Sequence, residues 1–80
     1  MTSVNIHYFA ILREQRGLAS EALRTEAKTA AHLYEKLKQA HGFSLGCSSL
    51  RVAINDRFAA WDDELENNDK IVFIPPVAGG

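Results

Sequence analysis

Apolar and polar residues alternate from Ser3 to Tyr8, and the segment from Ser3 to Ala10 reads as a half-buried strand. Val4, Ile6 and Tyr8 point one way, onto a core. Asn5, His7 and Phe9 point the other, so Phe9 is an aromatic on an otherwise polar face. Ile11 to Arg16 then forms a short helical turn stopped by Gly17. From Ala30 the period changes: Ala30, Leu33, Tyr34, Leu37 and Ala40 make one helical stripe, with Glu35, Lys36, Lys38 and Gln39 on the wet side. Thr29 suits the N-cap and Gly42 the stop, giving a helix over 30–41.

Between these lies an ambiguous stretch. Local propensity alone would run one helix from about Ser20 to Ala40. A compact sheet, however, needs a hairpin partner for the first strand, since a two-stranded remainder is unstable. The expectation is therefore a strand over 21–26. Further on, 43–49 is a loop, and Leu50 to Asn55 is a strand with Leu50, Val52 and Ile54 on one face. Asn55-Asp56 makes a tight turn, and Arg57-Phe58-Ala59 returns. Trp61 is expected at the sheet margin and Leu65 in the core, and Asn67-Asn68-Asp69 turns into a last strand over 70–74.

That last strand is apolar at four consecutive positions. With Ile71 and Phe73 facing the core, Val72 and Ile74 face the side that a single covering helix leaves wet. One reading is that Phe58 merely closes the core edge. The other, preferred here, is an exposed apolar patch of Phe9, Phe58 and Ile74, extending to Val72, which marks a partner surface.

Composition narrows the function. Eighty residues allow one domain with a small core. Nine basic against ten acidic residues provide no footprint for nucleic acid. No apolar run approaches a membrane span, and no secretory leader is visible. A lone cysteine, Cys47, fits a reducing cytoplasm. Neither Cys47 nor His7, His32 and His41 show metal-ligand spacing, so no metal site and no bound cofactor are expected.

The chemistry is concentrated at the end. Pro75 and Pro76 stop the strand, because neither donates a ladder hydrogen bond, and favour an extended exit. Val77, Ala78, Gly79 and Gly80 complete a segment over 75–80 whose reach is roughly 20 Å at about 3.3–3.6 Å per residue. The reading is a body over 1–74 that carries this tail. Terminal Gly-Gly arises by chance in roughly one chain in two hundred, given glycine at about 7%. A frayed end or a cloning scar is the plain alternative. The functional reading is an ionised α-carboxylate on Gly80 that can thread a narrow channel and be activated as an acyl-adenylate.

Strand, hairpin, helix, two short strands and a closing strand, ending in Gly-Gly, resemble the ubiquitin-like sulfur-carrier proteins, an α+β β-grasp fold. That fold implies a mixed sheet of about five strands with one main helix on one face. Tyr8-Phe9-Ala10-Ile11-Leu12-Arg13-Glu14 looks like the family's opening, and Phe73-Ile74-Pro75-Pro76-Val77-Ala78-Gly79-Gly80 is similar to the ending of molybdopterin synthase small subunits. The spacing of Ala30–Leu37, Val52–Asn55 and Asp69–Ile74 also suits that family. The carriers of thiamin synthesis share the Gly-Gly but generally lack the Pro-Pro pair.

The resemblance implies that an activating enzyme uses ATP and magnesium to adenylate Gly80. A persulfide donor then converts it to a thiocarboxylate, which gives its sulfur to cyclic pyranopterin monophosphate on the synthase's large subunit. It also implies that Phe9, Phe58 and Ile74 match the family's hydrophobic partner surface. The chain is then a sulfur-donating subunit rather than a catalyst. Rival readings are a carrier for thiamin or tRNA thiolation, a ubiquitin-like protein modifier, and a plain binding module.

Overall fold

The computed structural model describes residues 1–76, so the expectations placed on Val77, Ala78, Gly79 and Gly80 lie outside the described residues. The elements are β1 (Thr2–Tyr8), α1 (Ala10–Arg16), β2 (Ser20–Thr25), α2 (Ala30–His41), a 3-10 turn (Cys47–Ser49), β3 (Arg51–Ile54), β4 (Arg57–Ala59) and β5 (Asp69–Ile74). They build one sheet in the order β2-β1-β5-β3-β4, in which β1 and β5 run parallel and the other pairings are antiparallel. The most apolar strand is thus the central one. A central strand has neighbours on both sides, which explains a run too continuous for an edge.

Register sorts the side chains. Ile6 opposes Ile71 and Tyr8 opposes Phe73 across the parallel pair, while Phe73 opposes Val52 and Ile71 opposes Ile54 across β3. These residues face α2, whose Ala30, Leu33, Tyr34 and Leu37 are all buried. Phe73 lies under Tyr34 at 5.0 Å between ring centroids, edge to face, and stacks on Trp61 at 6.0 Å. Tyr34 donates its hydroxyl to the Leu45 carbonyl at 2.6 Å, and burial pushes its pKa up to about 12.

The β2 segment is a strand despite its helical propensity, because tertiary pairing outweighs a few tenths of a kcal/mol per residue. Leu23 opposes Val4, and Glu21 opposes Ile6. Glu21 accepts hydrogen bonds from the Tyr8 hydroxyl at 2.7 Å and from Arg16 at 2.8 and 2.9 Å. The Arg16 guanidinium holds the Glu21 carboxyl below the usual carboxylate range. Arg16 closes α1, so this pair ties the first helix to the sheet edge.

Both helices end as the sequence predicts. Thr29 Oγ1 accepts from the His32 backbone N–H at 3.2 Å, and Gly42, at φ 69, donates to the Lys38 carbonyl at 2.8 Å. One expectation needs correction: β1 stops at Tyr8, and Phe9 becomes the N-cap of α1 instead of a strand residue. Ala10 turns the chain there through φ 52, a left-handed conformation that is costly for a residue with a Cβ.

Candidate functional site

The face of the sheet away from α2 carries the candidate site. Along one cross-strand row, His7 of β1 opposes Val72 of β5, Val72 opposes Ala53 of β3, and Ala53 opposes Phe58 of β4. Neighbouring strands lie about 4.7–4.9 Å apart, so this row spans roughly 14 Å. The next pair towards the tail is Ile74 against Arg51. Phe9, just beyond β1, joins His7, Ala53, Phe58, Val72 and Ile74 in lining an open groove of about 380 Å³. Phe9 is 52% exposed and Phe58 71%, and Ile74 is half-buried.

Val72 differs from the sequence expectation. It faces the groove but is only 9% exposed. Flanked on both sides in the central strand, it forms the floor, while Phe9 and Phe58 stand up as walls. The tight turn between β3 and β4 sets the position of Phe58. Asn55 at φ 53 and Asp56 at φ 70 give the two left-handed residues that a two-residue hairpin of matching twist needs. Asn55 is also fixed from the side: its amide donates to Asp69 Oδ1 at 2.9 Å, and its Oδ1 accepts from the Lys70 N–H at 2.9 Å.

Sequence reasoning missed His7, Ala53, Asp56, Lys70 and Arg51 as parts of this surface. Ala53 and Arg51 were legible in outline, since both alternate with the core-facing Val52. Pairing Ala53 with Phe58 follows once the two-residue turn is placed. Lys70 Nζ meets Asp56 Oδ1 at 2.7 Å, which holds that carboxyl below its ordinary range.

At the end of β5 the chain leaves beside the groove. Pro75 is half-buried and Pro76 exposed, in neither helix nor strand. They line a second hollow of about 280 Å³ with Ser48, Ser49, Leu50, Arg51 and Ile74. The root of the tail and the apolar groove therefore share Ile74.

Elsewhere the chemistry is sparse. Among the described residues no cluster of three or more His, Cys, Asp or Glu could hold a metal ion, and no helix is long and apolar enough to cross a membrane. Burial, and then the nearby Glu35 carboxylate, push the Cys47 thiol up, so it is a poor thiolate and a poor nucleophile. Cys47→Ser is therefore expected to retain the sulfur transfer that the resemblance implies, since thiolate character governs thiol reactivity. Single-turnover assays check this, and a tenfold loss would put Cys47 on the route.

A family model described as the ThiS family matches residues 6–80, nearly the whole chain, from within β1 to Gly80. The chain belongs to the ThiS family. Within that family it is a homologue of molybdopterin synthase sulfur carrier subunits. It is 34% identical over 80 residues to the molybdopterin synthase sulfur carrier subunit of Haemophilus influenzae, covering 96% of this chain and 99% of that one. The putative molybdopterin converting factor subunit 1 of Pyrococcus furiosus has the same fold, with a TM-score of 0.79 at 29% identity. The match covers 96% of this chain and 100% of that one. A Helicobacter pylori complex of subunits 1 and 2 of molybdopterin-converting factor matches at a TM-score of 0.68 and 21% identity, covering 99% of this ThiS-family chain and 100% of the other. That last likeness is one of fold.

Proposed function

We propose that this chain works as the sulfur carrier of a molybdopterin synthase, with Gly80 as the sulfur attachment point and the groove face as the seat for the large subunit. The observation that carries the reading is the placement of the tail root: β5, the central strand, delivers Pro75 and Pro76 from the rim of an exposed apolar groove. A partner that covers Phe9 and Phe58 is thereby in reach of the tail. Cytoplasmic location and the roles of ATP, magnesium and the persulfide donor belong to the same proposal.

The chemistry divides between the chain and its partners. The Gly80 carboxylate attacks the α-phosphate of ATP, releasing pyrophosphate, and AMP becomes the leaving group. A persulfide sulfur displaces AMP, and a thiol reductively frees the thiocarboxylate. Bound to the large subunit, that sulfur attacks the pyranopterin. One carrier brings one sulfur, so a dithiolene takes two. The groove supplies binding and the tail supplies reach, while acid, base and metal are left to the partner enzymes.

Intact mass of the cellular protein tests the reading. With the activating enzyme present, the pool should gain the mass difference of one oxygen replaced by one sulfur, and the gain should vanish when that enzyme is deleted. Lysine-linked adducts of high mass would instead identify a protein modifier. An unchanged mass in both strains would remove the sulfur-carrier reading.

A further inference from the structure

Where the groove meets the root of the tail, Arg51 is a cation without an ionic partner among the described residues. Arg51 is exposed, and its guanidinium carbon sits 5.7 Å from the centroid of the Phe58 ring. Lys70, which lines the groove, is already paired with Asp56. Among the described residues Arg51 makes neither an ion pair nor a side-chain hydrogen bond, although guanidinium offers five donors in a fixed fork. Its place is also particular. It is the register partner of Ile74, it lines the hollow at the tail root with Pro75 and Pro76, and it leans over the aromatic wall of the apolar groove.

A partner seated on Phe58 must therefore desolvate Arg51, and a buried cation without a counter-charge is strongly unfavourable. An exposed cation–π contact does not compensate for that loss. We infer that the surface covering this groove presents a carboxylate to Arg51, so that Arg51 reads an acidic segment of the large subunit lying alongside the tail root. The inference rests on the groove being the large-subunit seat. It adds the sign of the partner's charge, its location and the residue that reads it. A planar guanidinium fork favours bidentate recognition of an Asp or Glu, which lysine cannot reproduce.

The test is binding of the purified full-length carrier to the large subunit from the same organism, by calorimetry at low and high NaCl. Removing one partner of a desolvated charge pair typically weakens binding by about thirtyfold or more. Arg51→Ala should lose about thirtyfold at low salt and flatten the salt dependence. Arg51→Glu should lose more than a hundredfold, and Arg51→Lys should fall between Arg51→Ala and wild type. Phe58→Leu, which removes the ring but keeps an apolar wall, should retain the wild-type salt dependence. Thermal melts of all four should stay close to wild type, because both side chains are exposed. Arg51→Glu binding within threefold of wild type would overturn the inference. If Phe58→Asp still weakens binding in that case, the groove reading survives alone. If Phe58→Asp also binds normally, both fall. Loss confined to the activating enzyme would likewise overturn the assignment to the large subunit.

Discussion

Deleting Gly80, or adding one residue after it, is expected to abolish sulfur transfer and leave the melting curve unchanged. The two variants shift the reacting carboxylate by about 3.3–3.6 Å in opposite directions along the tail. Attack on a bound phosphate or pterin needs reacting atoms about 3–3.5 Å apart, and a misplacement near 1 Å can cost about a hundredfold. A full residue of displacement exceeds that several times over, so residual transfer should lie below one per cent. The fold should not notice, because every buried hydrophobic residue described lies between Val4 and Phe73. Thioacid formation followed by mass spectrometry, sulfur transfer to the pyranopterin and a circular-dichroism melt together make the measurement. Full transfer by either variant would end the proposed mechanism. Loss of transfer with loss of fold would show that the tail is structural.

Much of this arrangement was legible in the residues, and what was not has identifiable physical causes. The α2 helix was clear from both ends inward, because Thr29 and Gly42 cap a regular stripe and no competing interaction disturbs it. The β2 strand was legible only indirectly. Its local preference is helical, and what decides it is the hydrogen-bonding demand of β1 together with Glu21 meeting Tyr8 and Arg16, contacts that no local rule contains.

The groove was half legible for the same reason. Alternation placed Phe9 and Phe58 on the outer face, since side-chain period is a property of one strand. Burial of Val72 and the pairing of Arg51 with Ile74 at the tail root depend on strand order, and β5 sits between β1 and β3 although it comes last in the chain. Asn55 read as a turn residue, and its second role of clamping Asp69 and Lys70 came only with that order.

Phe73→Ala is expected to destabilise the domain by about 3–5 kcal/mol, the usual range for deleting a buried aromatic ring. Phe73 is 0% exposed, with Tyr34 edge-on above it, Trp61 stacked against it, and Tyr8 and Val52 as register partners in the two flanking strands. The residues around it come from β1, β3, α2 and the loop after β4, so the cavity left behind cannot be closed by moving one element alone. An 80-residue domain at about 0.05–0.15 kcal/mol per residue has only about 4–12 kcal/mol in total, so the substitution should remove roughly a quarter of it or more. Urea titration should lower the midpoint by about 1–5 M for a slope of about 1–3 kcal/mol/M. Phe58→Ala removes the same ring from the opposite face, where it is 71% exposed, and should change stability by no more than about 0.5 kcal/mol. The contrast separates the two jobs of the sheet: Phe73 holds the domain together, and Phe58 is kept outside for a partner. A Phe73→Ala cost below about 1 kcal/mol would mean that the helix and Trp61 collapse onto the strand without it, and that β5 is not the centre of the core.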